Sequence, residues 1–433
     1  MIRFKYFKTN DIGGCTKTQV HLPVISESVF FRLLKSSKNG GAVMRKALIL
    51  ILAAGCCVGS FATDARVVSM GKHDAFFMDE ENVFRNPANI SIYPNMIYGS
   101  LGKFNVSDSN SILSDPFAGA FISYSLNEET DAGGQYPMVS FGAVFNRYDD
   151  MLDYVTKGKP NYLDTNYSLV EPVGKVDLIL GYVLKNGLML GGGGYFAMQS
   201  VENQSDISET KVYKGNLGIN WPVAKTMELE LSLGLGMITA ICDNNVLAQQ
   251  DYFGRFEVRL FSKLAGLNGD FVPRARVDIL QLEEKDELKV DIAAGLGLNL
   301  NIDKGFFWAG LEFLYGQRDV NNNSESEALQ NVGGRISFGI ERNVVWDWFV
   351  IRAGGQKTLT IKSLGPNERE LVENPASDDS DEDLISFGFG INIENRLRLD
   401  FVASERIPYT VANLFSGNQQ KYLFNRFSVT YSF

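Results

Sequence analysis

The chain has 433 residues, of which 21% are charged, and its formal net charge is −10. A negative balance disfavours nucleic acid as a partner, because binding to phosphates depends on basic surfaces. Outside residues 44–62 there is no run of about 18 apolar residues, which excludes a protein that spans a membrane with helices. The 42 glycines and 30 phenylalanines favour strands over helices with Lys and Glu surfaces.

The first predicted element is an export signal over residues 44–62. Arg45 and Lys46 form a basic start, an apolar run follows over residues 47–58, and Ser60-Phe61-Ala62 has the small-residue pattern of a cleavage site. An apolar run of about 12 residues is too short to span a bilayer comfortably. We therefore predict a signal peptide that is removed.

Cleavage would start the mature chain at Thr63, and we expect residues 1–43 to be an upstream extension without stable structure. An alternative is that Ala54-Gly55-Cys56 is a lipoprotein motif whose cysteine carries a lipid. With cleavage before Thr63, one cysteine, Cys242, and one histidine, His73, are left. No internal disulfide can then form. We expect no catalytic residue, metal site or cofactor, and no enzyme activity.

Residues 63–94 come next and do not alternate between apolar and polar positions. Within them, Asn86-Pro87-Ala88 stands directly before the first predicted strand. Pro87 fixes its φ and donates no hydrogen bond, Asn86 can bond its own backbone, and the small Ala88 allows a close approach. These properties suit a kinked plug against the inner wall of a barrel.

The same segment resembles the N-terminal hatch of the FadL family of outer-membrane transporters of hydrophobic compounds, and of its PorV-type relatives. In those proteins an acidic stretch precedes an Asn-Pro-Ala motif. The residues that carry the resemblance are Asp79, Asn82, Val83, Arg85, Asn86, Pro87, Ala88 and Ile90. The chain departs from the pattern before the acidic stretch, where it has Lys72, His73, Phe76 and Phe77 instead of small residues. The resemblance implies a hatch over residues 63–94 with Asn86, Pro87 and Ala88 as its motif.

From residue 95 to residue 433, apolar and polar residues alternate in about sixteen segments, although fourteen is also possible. Leu229 to Met237 and Leu288 to Ile302 are the clearest examples. These runs reach about 15 residues, longer than the five or six usual in soluble sandwiches and propellers. We predict an all-β protein, a transmembrane antiparallel up-and-down β-barrel of 14–16 strands with an N-terminal hatch. The predicted strands are 95–104, 117–126, 136–147, 173–184, 188–199, 211–222, 227–241, 251–262, 271–282, 287–302, 305–318, 330–342, 346–361, 384–393, 396–405 and 421–433.

The predicted connections alternate between short and long, as they do between the two ends of a membrane barrel. Short turns, expected on the periplasmic side, are predicted at residues 185–187, 224–226, 303–305, 342–344 and 394–395. Longer extracellular links are predicted at residues 148–172, 200–210, 242–250, 319–329, 362–383 and 406–420. The short link 283–286 breaks the rule.

The last predicted strand ends at the aromatic residue Phe433. A terminal aromatic on an alternating strand resembles the signal by which bacterial barrels are recognised for insertion, so we expect the barrel-assembly machinery as a partner. The strand must also pair with residues 95–104, because an open edge in lipid would leave backbone groups without hydrogen bonds.

Charged residues in the barrel suggest two kinds of site. Arg255, Arg259, Arg274 and Arg276 fall on the lumen face of neighbouring strands and could bind a substrate carboxylate. The alternative is that they pair with acidic neighbours. The acidic link 367–383, together with Asp149, Asp150 and Asp153, could bind divalent cations shared with lipopolysaccharide. We instead expect solvated, disordered loops there, because no glycine punctuates the acidic run as a calcium loop requires.

Three functions remain open. The FadL resemblance implies an outer-membrane channel for passive, hatch-gated uptake of small hydrophobic or amphipathic solutes. A PorV-type barrel would instead bind secreted proteins at the outer membrane without transport, and a third possibility is a structural barrel with a plugged lumen. In each case the expected surroundings are membrane lipid and lipopolysaccharide.

Overall fold

The computed structural model describes residues 64–103, 116–126, 137–152, 172–203, 206–242, 245–282, 287–322, 325–344, 346–363, 369–373, 384–394, 396–403 and 424–433. The predicted signal peptide, the upstream extension and the exceptional link 283–286 lie outside these residues. Within the described ranges, no helix is both long and apolar enough to cross a membrane.

Sixteen antiparallel strands form a closed barrel in the part of the chain that the structure describes. Each strand pairs with its neighbours in the sequence, and the last pairs with the first, with Met96 opposite Ser432. The predicted fold and the predicted closure are therefore confirmed. The strands are β1 (Met96–Lys103), β2 (Phe117–Ser125), β3 (Met138–Phe145), β4 (Gly174–Val183), β5 (Met189–Asn203), β6 (Asp206–Ala224), β7 (Met227–Cys242), β8 (Asn245–Lys263), β9 (Gly269–Leu282), β10 (Glu287–Ile302), β11 (Gly305–Asn322), β12 (Glu325–Asn343), β13 (Phe349–Ser363), β15 (Leu384–Ile393), β16 (Leu397–Ala403) and β17 (Phe424–Ser432).

The alternation of the sequence becomes an apolar outer face and a polar inner face. On β7, Leu233 and Leu235 point outward and are 40% and 60% exposed, whereas Glu230 and Ser232 are buried inside. Alternate side chains of a strand point to opposite faces of the sheet, so this pattern gives one apolar and one polar face. Closing the sheet into a ring pairs the backbone of every strand with two neighbours, which explains why these residues form a barrel.

Short turns join the strands at the end of the barrel where β1 begins and β17 ends. Four of them contain a residue with a positive φ, at Gly187, Gly266, Lys304 and Glu394, as tight turns between strands require. At the opposite end, the predicted long links 200–210, 242–250 and 319–329 are wrong. The strands instead continue as hairpins, with ladder pairs Asn203–Asp206, Cys242–Asn245 and Asn322–Glu325. Polar residues break the apolar alternation there without interrupting the backbone ladder.

The acidic link also differs from its prediction. Arg369–Glu373 form a short strand, β14, that pairs with the end of β13 beyond the barrel wall, so this part is not a disordered loop. Residues 374–383 lie outside the described chain.

The described residues also contain one α-helix and three 3₁₀ helices. They are α1 (Asp64–Ser69), η1 (Glu80–Phe84), η2 (Pro87–Ile92) and η3 (Asp150–Leu152). The first three belong to residues 64–95, which lie inside the barrel and which we call the hatch. Lys72 and Asn95 have positive φ values and turn the hatch between its helices and into β1.

Candidate functional site

The Asn86-Pro87-Ala88 motif fixes the end of the hatch to β5 and β6. Asn86 caps η2, because its Oδ1 accepts a hydrogen bond from the Ala88 amide at 3.2 Å, and its Nδ2 donates to the Ile219 carbonyl at 3.2 Å. The wall has glycines where it faces the motif. A Cβ on Gly191 would fall 2.2 Å from the Ala88 nitrogen, and one on Gly218 would fall 1.9 Å from Asn86 Oδ1. Only glycine allows this approach.

Further along η2, polar side chains continue the attachment to the wall. Asn89 Nδ2 donates to Glu230 Oε1 at 2.9 Å, and Asn220 Nδ2 donates to Asn89 Oδ1 at 3.2 Å. The Ser91 and Ser140 hydroxyl oxygens are 3.1 Å apart and hydrogen-bonded. All of these wall residues face inward on their strands.

Arg259 on β8 is the principal anchor of the middle of the hatch. Its Nε donates to Glu230 at 2.7 Å and its Nη2 to Asn82 Oδ1 at 2.6 Å. Its Nη1 lies 3.3 Å from each of three hatch carbonyl oxygens, those of Asp74, Ala75 and Phe77. A planar group with five donors suits such a set of acceptors.

Arg274 on β9 begins a second chain of ion pairs that reaches the hatch. Its Nε donates to Glu257 at 2.8 Å, and Glu257 lies 3.4 Å from Arg85 of the hatch. Arg85 in turn donates to Asp74 at 3.0 Å. Burial alone would raise the pKa of the Asp74 carboxyl, but the guanidinium groups of Arg85 and Arg259 outweigh it and hold that pKa below its usual value.

Arg274 also forms an ion pair with Glu312 on β11. Glu312 in turn contacts a second residue of the hatch, His73. The Glu312 carboxylate lies 2.7 Å from His73 Nε2. The network from Glu257 to Glu312 therefore holds the hatch at two points, through Arg85 and through His73.

The acidic stretch of the hatch docks on the opposite side of the lumen. Glu80 pairs with Arg398 of β16 at 2.7 Å, and Asp79 pairs with Arg66 of α1, which also donates to Glu341 of β12 at 2.9 Å. Wall residues extend this network through Arg352–Glu341 at 2.5 Å, Arg352–Asp400 at 2.6 Å and Arg398–Asp400 at 2.9 Å. Hatch and wall carry complementary charges here.

Phe76 and Phe77 of the hatch are buried against the wall. Gly297 and Gly310 admit the Phe76 ring, since a Cβ on either would fall within 2.4 Å of it. Phe77 packs against Trp308 with ring centroids 5.2 Å apart. Two glycines of the wall thus make room for the large Phe76 side chain of the hatch.

The four predicted lumen arginines separate into two pairs. Arg259 and Arg274 belong to the networks that hold the hatch. Arg255 and Arg276 share Asp278, at 2.7 and 3.0 Å. Sequence reasoning missed Arg352 and Arg398, although both alternate with outward-facing apolar residues in the same way.

A second segment enters the lumen after β3. Asp149, predicted to lie in a solvated loop, is buried and receives ion pairs from Arg147 and Lys214, each at 2.9 Å. The prediction was wrong because one partner of this carboxylate, Lys214, lies on β6, 65 positions further along the chain.

The small cavity between hatch and wall that is lined by Arg85, Asn86, Glu230, Ser232, Glu257 and Arg259 leaves essentially no room even for a water molecule. Sites for small organic ligands usually measure about 300 to 1,000 Å³ and are mostly apolar. This cavity is too small and too charged for such a ligand while the hatch is in place.

No family model and no curated protein sequence matches the chain. Several solved structures resemble it in shape, among them the two that follow. The deltaS2S3 mutant of TodX, a monoaromatic hydrocarbon channel, is 10% identical, with a TM-score of 0.38 over 86% of this chain and 98% of that chain. OmpT of Vibrio cholerae, an outer membrane protein folded in vitro and seen as a trimer, is 13% identical, with a TM-score of 0.35 over 68% of this chain and 96% of that chain. Likenesses this distant leave the function to be inferred from the residues of the chain itself.

Proposed function

We propose that this chain is an outer-membrane channel for small hydrophobic or amphipathic solutes, closed at rest by its hatch. The observation that carries the proposal is the seat of residues 64–95 inside a closed barrel with an apolar outer face. Such a face is stable against lipid, and closure satisfies the backbone hydrogen bonds that lipid cannot. Membrane lipid, lipopolysaccharide and the assembly machinery are the proposed surroundings.

The chemistry of the hatch contacts suits a segment that moves. Most of its fixed points are ion pairs and polar hydrogen bonds, such as Arg259–Glu230 and Glu80–Arg398. If water enters as the hatch moves, both partners of a separated ion pair regain hydration, which offsets much of the lost attraction. A plug attached in this way is specific in position and yet can be displaced.

The proposed solute class rests on the hatch resemblance and on the apolar parts of the lumen. Phe76, Phe77 and Trp308 form one buried cluster, and Phe84, Tyr98 and Phe121 belong to another. Both clusters lie beside charged groups of the hatch network. Displacement of the hatch would expose these apolar and charged surfaces side by side, a combination that fits solutes with both kinds of group.

Deletion of residues 63–90 tests the proposal. We expect the barrel to insert as before and its potassium chloride conductance in planar bilayers to rise several-fold, because the lumen loses its largest insert. A reversible control comes from Ser91→Cys with Ser140→Cys in a Cys242→Ser chain, since the two hydroxyls are 3.1 Å apart and a disulfide is within reach. The oxidised chain should show fewer spontaneous openings than the parental channel, and reduction should return the opening frequency to the parental level.

Unchanged conductance after the deletion would contradict the proposal that this chain is a channel closed by its hatch. If such a barrel also retained an exported protein during purification, the PorV-type function would replace it. Should the deletion open the pore, mass spectrometry of lipids and small molecules extracted from the intact protein would identify the solute.

A further inference from the structure

A short segment after β3 fills the lumen from the end opposite the short turns. Asn146, with a φ of +65°, turns the chain inward, and residues 146–152, which we call the inner loop, end in η3. Met151 and Leu152 are buried in an apolar cluster on the inner faces of β5 to β9. Gly236 makes room for Met151, because a Cβ there would fall 2.4 Å from its methyl carbon.

Arg147 connects the inner loop to the wall. Its Nε and Nη2 donate to the two carboxylate oxygens of Asp177 on β4, each at 2.9 Å, and Nη2 also donates to Asp149 at 2.9 Å. The Tyr195 hydroxyl donates to the Arg147 carbonyl at 3.2 Å. The guanidinium group is thereby held in one plane.

The flat face of the same guanidinium group contacts one aromatic ring of the hatch. Its carbon lies 4.0 Å from the centroid of the Phe84 ring at the end of η1. Strand β6 supports both partners, since Lys214 donates to Asp149 and Asn216 donates to the Phe84 carbonyl at 2.9 Å. One planar cation therefore contacts wall, inner loop and hatch together.

We propose that Arg147 is a positioning residue that couples the inner loop to the hatch, so that displacing either segment loosens the other. The inference rests on the proposed function, for which it supplies a means of regulation from the far end of the barrel. If the inner loop moves, Asp149 no longer orients the guanidinium group, and the cation–π contact with Phe84 is lost. Coupling of this kind is reciprocal by thermodynamic necessity.

A mutant cycle tests the coupling. The reporter is Met78→Cys in the hatch of a Cys242→Ser chain, and the measured quantity is its rate of modification by a water-soluble maleimide. Leu152→Asp displaces the inner loop by placing a charge in its apolar cluster. We expect the reporter rate to rise about tenfold, on the scale of a desolvated cation–π contact.

The same Leu152→Asp change should have little further effect in chains that carry Arg147→Ala or Phe84→Ala, whose hatch is already loosened. Phe84→Tyr keeps an aromatic ring and should restore the full response. Lys289→Ala removes another ion pair, with Asp291 on β10, and serves as the matched control that should leave the cycle unchanged. Heat-modifiable gel mobility shows which variants are folded.

Additive effects of Leu152→Asp and Arg147→Ala would overturn the coupling, as would an equal response in Phe84→Ala and Phe84→Tyr chains. The hatch-deletion conductance separates this failure from that of the channel itself. A deletion that opens the pore, combined with an additive cycle, leaves the channel in place and removes the coupling.

Discussion

Gly218 is a wall residue at which the hatch leaves no room for a side chain. A Cβ at this position would lie 1.9 Å from Asn86 Oδ1, so a methyl group must push the motif away from β6. Close contacts of this kind are restricted to glycine wherever another backbone segment passes.

We expect Gly218→Ala to destabilise the folded protein by about 1 to 3 kcal/mol, the usual cost of overpacking. It should also raise the conductance, because the displaced motif no longer holds the hatch. Gly215→Ala on the same strand is the control, since a Cβ there meets no atom within 4 Å. Urea unfolding in detergent and bilayer conductance measure the two effects. Equal behaviour of the two variants would show that the close approach does not hold the hatch.

For single residues, the sequence predicted which face of the barrel wall a side chain occupies better than it predicted which residue that side chain contacts. Arg259 and Arg274 alternate with apolar residues on their strands, which placed them on the lumen face. The Asn86-Pro87-Ala88 motif indicated where the hatch lies. Their contacts could not be predicted, because the hatch has no periodicity that would register it against the wall. Asp149 shows the same limit, since its partner Lys214 is 65 positions away in the chain.

Among the elements, the strands were the most predictable. The predicted bounds 287–302 and 384–393 coincide with β10 and β15. Period-two patterns give such precision because a shift of one residue would move every side chain to the wrong face. The inner loop was not foreseen, because three residues of 3₁₀ helix have no pattern of their own.

The helix η2 allows its cap to be separated from its attachment to the wall. Asn86→Asp keeps an oxygen that can accept from the Ala88 amide but loses the donor to the Ile219 carbonyl. Asn86→Ala loses both. We expect a loss of about 1 kcal/mol for removal of the cap, and hence the stability order Asn, Asp, Ala in urea unfolding. If the Asp variant is no more stable than the Ala variant, the hydrogen bond to the wall, and not the cap, holds η2 in place.

For the molecule as a whole, closure depends on β1 and β17, which are far apart in the sequence. The two strands pair from Met96–Ser432 to Lys103–Arg426 with one irregularity after Ser100. The junction also includes the hatch exit, because the Phe433 amide donates to the Asn95 carbonyl at 3.0 Å and Asn95 Oδ1 accepts from the Ser123 amide at 3.0 Å. Closing the barrel therefore also fixes the point at which the hatch leaves it.

Phe433 allows insertion to be distinguished from stability. Its side chain is 49% exposed and stacks on Tyr431 with centroids 6.4 Å apart, while the bond to Asn95 uses only its backbone. We therefore expect Phe433→Ala to change the urea midpoint of the purified barrel little, since surface substitutions usually cost within about 0.5 kcal/mol. If the aromatic ring of Phe433 is recognised during assembly, the amount of inserted Phe433→Ala protein in cells should fall several-fold, and Phe433→Tyr should restore it. A loss of purified stability equal to the loss of insertion would assign Phe433 to packing, because the side chain would then hold the closed barrel together.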